Sequence, residues 1–338
     1  MTTILITGAA GFIGSNFVHY WLDNHSADRV VALDSLSYAG NEENLADVRS
    51  DVAFVQADIG DAEAVSAALR EHSPDVVVNF AAESHNSLAV LNPGQFFRTN
   101  VLGTQVLLEA CRQAGVERFH HVSTCEVYGD MALDDPGSFS ESSPYRPRTP
   151  YSASKAGGDH AVRCYHETFG LPVTITNCSN NYGPFQYPEK ILPLFTVKAL
   201  AGEKLTLYKS SQNLREWIHV SDHCRAIDLV LRNGRVGETY HVGTGVEASI
   251  DQIANVVLDE LGLPQDRKMT VPDRPGHDRR YLLDAEKIRA ELGWTPQHEF
   301  EKSVRETIRW YEANEAWWRP LRERARVVEE AWTSGESK

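Results

Sequence analysis

The residues best suited to do chemistry lie between Ser123 and Lys155. Thr124, Cys125 and Glu126 come directly after the apolar run 119–122, and Tyr151 and Lys155 open a stretch rich in Ala and Ser that reads as a helix. Four apart on a helix, Tyr151 and Lys155 share one face, one turn apart. An ammonium beside a phenol favours the phenolate, and a phenolate can take a proton from an alcohol. Taken alone, the spacing also fits a buried tyrosine next to an ordinary surface lysine. The elements around the pair have to decide.

Residues 3–7 form a short apolar run, followed by Gly8-Ala9-Ala10-Gly11-Phe12-Ile13-Gly14 and an amphipathic segment from 12 to about 22. Strand, glycine-rich turn and helix together let the backbone approach a pyrophosphate and aim free N–H groups at it. Three glycines would equally serve a plain tight turn. A second apolar run, 30–33, ends in Asp34, about 20 residues beyond the loop, where an acid can bind ribose hydroxyls. A carboxylate there repels a 2′-phosphate, which favours NAD over NADP; a solvated strand end is the competing reading of Asp34. Further runs at 52–56, 76–80, 119–122 and 173–177 alternate with helices starting near Asp61, Asn92-Pro93 and Tyr151. That alternation predicts an α/β fold with a doubly wound parallel Rossmann sheet. Ligands of such sheets gather beyond the carboxyl ends of the strands. Asp34, Asp58, Ala81-Ala82, Thr124 to Glu126 and Cys178 to Asn181 all share that address.

After Asn181 the alternation fades and Pro, Gly and Arg become frequent, as in a smaller α/β C-terminal substrate lobe. Ser221, Ser249 and Asp284 read as helix caps. The expected division is an NAD-binding domain over 1–180, to which 215–245 returns, a substrate lobe over 181–320, and a polar tail over 321–338 with no assigned function. Hydrophobic content of 42% and charged content of 24% over 338 residues are those of a soluble globular chain. A net charge of −14 argues against nonspecific nucleic-acid binding, though not against a small anion held by a few arginines. No apolar run is long enough to span a bilayer, and the N-terminus enters a strand without a basic n-region. The five cysteines are scattered, with no C-x-x-C, so neither a disulfide framework nor a metal site is expected. A cytoplasmic protein is the expectation.

Gly8-x-x-Gly11-x-x-Gly14, Asp58-Ile59, Asn79-Phe80-Ala81-Ala82 and Tyr151-x-x-x-Lys155 together resemble an extended short-chain dehydrogenase/reductase. More narrowly, the chain resembles nucleotide-sugar 4,6-dehydratases of the dTDP-glucose type. The carrying stretches are 34–45, Ala81-Ala-Glu-Ser-His85, Ser123-Thr-x-Glu-Val-Tyr-Gly-Asp130, Asn180-Asn-Tyr-Gly-Pro184, Pro188-Glu-Lys190, 215–223 and 273–280. The resemblance implies a lyase that uses bound NAD on a dTDP- or UDP-linked hexose. It implies NAD held by Gly8, Gly11, Phe12, Ile13 and Gly14, by Asp34, Ser37, Asp58 and Ile59, and by Ala81, Ala82, Thr99, Tyr151, Lys155 and Asn180. It implies a substrate pyrophosphate on Arg215, Arg274 and His277, with Ser84, His85, Thr124, Asn180, Lys190 and Tyr208 about the sugar and base. In the implied reaction Tyr151 removes the C4 hydroxyl proton, Lys155 lowers the tyrosine pKa, Thr124 binds the C4 oxygen and Glu126 removes the C5 proton. Residue 125 protonates the leaving C6 hydroxyl. A homodimer through helices 93–114 and 151–168 is implied as well.

Three stretches depart from that family's pattern. Cys125 stands where the family has Asp, and a thiol is the weaker acid and the poorer hydrogen-bonding partner. Ser84-His85-Asn86-Ser87-Leu88-Ala89 lacks an acid and a base of the usual stretch, and Tyr208-Lys209-Ser210-Ser211 replaces a Gly-rich turn. The readings that follow are a 4,6-dehydratase, a 5,6-dehydratase that returns hydride to C4 and leaves an exo-glycal, a 4-epimerase for which Glu126 would be superfluous, and a binding protein without turnover.

Overall fold

The computed structural model describes residues 1–273 and 276–333. In chain order its strands are β1 (Thr3–Thr7), β2 (Arg29–Asp34), β3 (Val52–Gln56), β4 (Val76–Asn79), β5 (Arg118–Thr124), β6 (Val173–Cys178), β7 (Asn180–Tyr182), β8 (Leu205–Tyr208), β9 (Leu214–His219), β10 (Thr239–Val242), β11 (Glu247–Ser249) and β12 (Lys268–Val271). Seven of them form one parallel sheet in the order β10-β6-β5-β4-β1-β2-β3. The order reverses at β1 and β4, which opens a crevice at their carboxyl ends. Both faces of this sheet are covered, so β1, β2 and β4 are mainly apolar runs instead of alternating, while β5 and β6 also bury polar side chains such as His120 and Thr174. Leu5, Val31, Val77 and Phe119 point into one layer with Leu107, Leu108 and Val162. Ile4, Ile6, Val30 and Val78 point into the other with Phe17, Val18, Trp21 and Ile227. The expected doubly wound sheet is present.

The smaller lobe carries a sheet β11-β9-β7 and the parallel pair β12-β8. Leu192, Phe195, Trp217, Ile253, Val257 and Ile308 fill its core. The helix Val220–Asn233 and β10 return to the large sheet, whereas β9, just before them, stays in the small one.

The helix Pro150–Phe169, which carries Tyr151 and Lys155, starts in a capping box between Thr149 and Ser152, with Pro150 in its first turn. It lies unusually close to its neighbour. A Cβ on Gly158 would stand 2.6 Å from the carbonyl of Asn100, and one on Gly157 would stand 2.8 Å from Val101. The neighbour, expected as one helix over 93–114, is Pro93–Phe97, a π-helical turn Arg98–Gly103, and Thr104–Ala114. Asn100 in the π turn is buried; its amide accepts from Glu83 N at 2.9 Å and donates to the Glu83 carbonyl at 3.0 Å and to Ser154 Oγ at 2.9 Å. The wider turn is what brings this side chain inward.

Three caps differ from expectation, the first being Asp284, which stands one residue before the cap position held by Ala285 and accepts from Glu286 N at 2.9 Å. His219, not Ser221, caps Val220–Asn233: its Nδ1 accepts from Ser221 N at 3.3 Å, and Ser221 sits inside the first turn. Asn92 precedes Pro93 but makes no side-chain cap. Ser249 caps Ile250–Glu260 as expected, in a capping box with Gln252. The chain beyond 320 is also more than a polar tail. Helix Glu315–Thr333 runs through it, and Trp318 and Leu321 are buried.

Gly14 fixes how tightly the first helix meets the glycine turn, since a Cβ there would stand 2.1 Å from the Gly8 carbonyl oxygen. Gly14→Ala is expected to destabilise the protein by about 1–3 kcal/mol, because backbone must shift. The urea unfolding midpoint checks this, and an unchanged midpoint would refute the packing argument.

Candidate active site

The loop after β1 is built to hold something against backbone. Gly8 has φ +63, and a Cβ on it would meet Ala81 N at 2.7 Å. Gly11 caps the helix Phe12–Asn24 with an extended backbone and no side chain, leaving the N–H groups of Phe12 and Ile13 at the helix start. Asp34, at the end of β2 and buried, accepts from Ala10 N at 2.9 Å and from Leu36 N at 2.8 Å. Its carboxylate is therefore part of the loop's own scaffold, and burial raises its pKa although both N–H groups oppose the shift. Ser37 follows in the same turn, where its carbonyl accepts from Gly40 N. Asp58 and Ile59 stand after β3, Asp58 exposed and accepting from Gly60 N at 2.7 Å, Ile59 buried. Ala81 N donates to Thr7 Oγ1, and Ala82 follows it at the end of β4. Thr99 lies in the π turn, accepting from Gln95. Asn180, just past β6, has a buried amide oxygen with no hydrogen-bond partner among the described residues. A cradle of bare backbone, an acid at the second strand and an unsatisfied amide along one crevice fit a dinucleotide such as NAD.

Thr124 ends β5, and its hydroxyl accepts from Glu126 N at 3.2 Å as the cap of the short helical turn Cys125–Tyr128. The Tyr151 phenol lies close enough to Thr124 for that hydroxyl to oppose the rise of its pKa, so helix and strand end meet. Lys155, 4% exposed, donates to the Val122 carbonyl at 2.8 Å. The expected lowering of the tyrosine pKa by Lys155 is not what dominates. Burial pushes the Tyr151 phenol well up, with Glu126 and Cys178 adding to it and Thr124 opposing. Burial lowers the Lys155 pKa, and Asp159 opposes that. Asp159, one further turn along the helix, is fully buried; burial works against its charge, but His121 and Lys155 hold its pKa below the ordinary range. It stands 3.4 Å from His121 and accepts from the Tyr145 hydroxyl at 2.7 Å.

Glu126 is half-buried, and Asn86 Nδ2 donates to its Oε2 at 3.4 Å. Cys125 is buried among Val127, Tyr128, Ala156, Tyr281 and Leu283. Burial first, then Glu126, Cys178 and Glu216, push its thiol well above the ordinary value, so it stays neutral and gives up a proton poorly.

On the substrate side, His85 pairs with Glu189 at 3.2 Å, and Lys190 donates to the Ser84 carbonyl at 2.8 Å. Tyr38 donates to Glu189 at 3.2 Å. Tyr208 meets His277 edge to face at 5.4 Å, and Ser210 contacts His277 Nδ1 and Asp273. Arg215 is buried and spends its guanidinium on the carbonyls of Leu214, Asp278 and Arg279, stacking over Tyr281 at 4.6 Å. Arg274 lies outside the described residues. Asn86, Asp159 and Glu189 were missed as site residues. Asp159 alone carried a readable signal, its i+4 spacing from Lys155. No group of three or more metal-ligating side chains occurs among the described residues, and no helix there is long and apolar enough to cross a membrane.

Three comparisons agree with this geometry. The family model described as "GDP-mannose 4,6 dehydratase" matches residues 5–307. A dTDP-glucose 4,6-dehydratase of Xanthomonas campestris pv. campestris is 50% identical, over 94% of this chain and 95% of its own length. One from Mycobacterium tuberculosis is 48% identical, over 95% and 96%. The crystal structure of DesIV, a dTDP-glucose 4,6-dehydratase from Streptomyces venezuelae solved with NAD bound, superposes with a TM-score of 0.91 at 49% identity, covering 94% of this chain and 99% of that one. A nucleotide cradle, a Tyr-Lys helix and a Thr-x-Glu strand end thus occur in a chain matched along nearly its whole length, and the chain belongs to the GDP-mannose 4,6-dehydratase family of the extended short-chain dehydrogenase/reductases.

Proposed function

We propose that this protein removes water from a dTDP-linked hexose, using bound NAD, to give a 4-keto-6-deoxy sugar nucleotide. The observation that carries the reading is the convergence of Thr124, Glu126 and Tyr151 at the end of β5, beside a cradle suited to NAD. NAD, when bound, supplies the acceptor for the C4 hydride and its donor afterwards. Tyr151 takes the C4 hydroxyl proton as a phenolate; burial opposes that form, Thr124 beside it favours it, and the positive charge of the NAD nicotinamide would favour it further. Lys155, a buried cation on the same helix face, lies where it can bind the nicotinamide ribose. Once C4 is a ketone the C5 proton is acidic, and Glu126, steadied by Asn86, removes it. A 4-epimerase would need no such base.

The basic side chains of the smaller lobe support a sugar nucleotide, with Arg215, Arg274 and His277 toward the pyrophosphate and Ser84, His85, Asn180, Lys190 and Tyr208 toward the sugar and base. A second reading, return of hydride to C4 with a C5=C6 alkene left in the product, draws on the neutral, apolar setting of Cys125 next to Glu126. We also infer a homodimer through 93–114 and 150–169. Phe97 and Leu102 on that first segment are 42% and 59% exposed, which is costly for large apolar side chains without a partner.

Incubation with dTDP-glucose, UDP-glucose and UDP-N-acetylglucosamine deuterated at C4, read by NMR, tests the reaction. Deuterium at C6 is expected; deuterium kept at C4 with an alkene selects the second reading, and no loss of water from any of them overturns both. Glu126→Gln is expected to slow water loss by about 100-fold or more while oxidation at C4 persists; an undiminished product yield would remove Glu126 from the reaction. Light scattering is expected to give twice the 37.7 kDa chain mass, reduced to one chain by Leu102→Glu.

A further inference from the structure

Loss of the C6 hydroxyl requires a proton donor as well as a base, because hydroxide is a poor leaving group. Among the described residues around Glu126, Cys125 is a poor candidate for the reasons given. Tyr151 is committed to the C4 oxygen. Two buried carboxyls remain. Glu216 is raised to about 7, chiefly by burial, and is fully buried, but its Oε1 accepts from Gly245 N at 2.7 Å and its Oε2 from Leu283 N at 3.1 Å. Both oxygens serve the local backbone.

Asp278 differs. It is 3% exposed, and its buried Oδ1 has no hydrogen-bond partner among the described residues. Its backbone is clamped: Arg215 Nη2 donates to its carbonyl at 2.7 Å and Asn213 Nδ2 at 3.0 Å. The charged groups that act on the carboxyl are Glu126 after β5, Arg215 on β9, and Asp130 and Arg148 in the segment 129–149. Arg148 Nη1 is 3.6 Å from Oδ1 but is closer to Asp130, at 2.7 Å. Tyr281 is near enough to feel Arg215, Glu126, Cys125 and Asp278 together, which gathers them around one place. Burial, then the charge of Glu126, raises the Asp278 carboxyl to about 7. A carboxyl kept neutral by burial and by the field of a second carboxyl is the arrangement that separates an acid from a base.

We propose that Asp278 is the general acid of the elimination, giving its proton to the departing C6 hydroxyl as Glu126 takes the proton from C5. The inference rests on the dehydration reading above. The C5–H pair becomes the C5=C6 bond, the C6–O bond breaks, and the oxygen leaves as water carrying the Asp278 proton. No oxidant enters this step. The two carboxyls are coupled: as Glu126 is neutralised, the repulsion that kept Asp278 protonated disappears, so Asp278 becomes a stronger acid at the moment a proton is needed. Afterwards Asp278 regains a proton from solvent; its chain neighbours His277 and Arg279, with Asp130 and Arg148, line a cavity of about 660 Å³.

Asp278→Asn and Asp278→Glu, each assayed with dTDP-glucose and with its 6-deoxy-6-fluoro analogue, test this. Fluoride leaves with far less help from an acid. In the Asn variant, water loss is expected to fall about 100-fold or more while fluoride loss stays within about fivefold of the wild type. Wild-type water loss should decline as pH rises through about 7, as Asp278 loses its proton. The Glu variant should keep that decline and much of the rate, and the residual Asn rate should lack it. Equal losses on both substrates, or a wild-type rate of water loss in the Asn variant, would overturn the assignment. A wild type that eliminates from neither substrate would refute the dehydration reading itself.

Discussion

An ammonium group enclosed by protein is the constraint around which the site is arranged. Removing a lysine cation from water costs several kcal/mol unless it is paired and hydrogen-bonded. Lys155 is compensated by the Val122 carbonyl on one side and by the charge of Asp159 on the other. Asp159 in turn relies on His121 and on the Tyr145 hydroxyl, to which Arg163 also donates at 3.0 Å. Tyr151, Lys155, Asp159 and Arg163 are spaced by four along one helix, so the whole series turns inward together. That helix must sit deep, which explains the two glycines against the π turn and the buried Asn100 that links the turn to Ser154.

The same logic of burial sets the protonation states nearby. Tyr151, Cys125 and Asp278 all lie in places that penalise charge, and each is pushed toward its neutral form. Arg215 is the counterweight. It stacks on Tyr281, holds the backbone at 278–279 through three carbonyl contacts counted with Leu214, and lowers the pKa values of both Tyr281 and Asp278. One side chain from the small sheet thus anchors the backbone of a segment distant in sequence.

Much of this was readable in the residues because it depends on local pattern. The strands of the large sheet, the glycine turn, the acid ending β2 and the Tyr-Lys spacing follow from short-range rules and lie where those rules put them. The rest depends on tertiary contacts. His219 caps its helix because its ring folds onto Ser221 N, and histidine is not among the residues that mark a helix start. The π turn is dictated by the partner helix and not by its own sequence. Asp278 lies inside a stretch whose chemistry was ascribed to Arg274 and His277. Its distinctive environment arises only when β9, the 130–148 loop and the turn after β5 meet. Nor does periodicity reveal that a helix over 315–333 returns to the first domain.

That returning helix has a consequence for how the protein is made. Trp317 Nε1 donates to Asn44 Oδ1 at 2.8 Å, while Asn44 Nδ2 donates to the Ala10 carbonyl at 2.9 Å within the glycine turn. The glycine turn is therefore braced by a tryptophan synthesised some three hundred residues later. Strand β10, which completes the parallel sheet, also comes late. A nascent chain can form the early strands in order, yet its glycine turn lacks this brace until Trp317 has emerged.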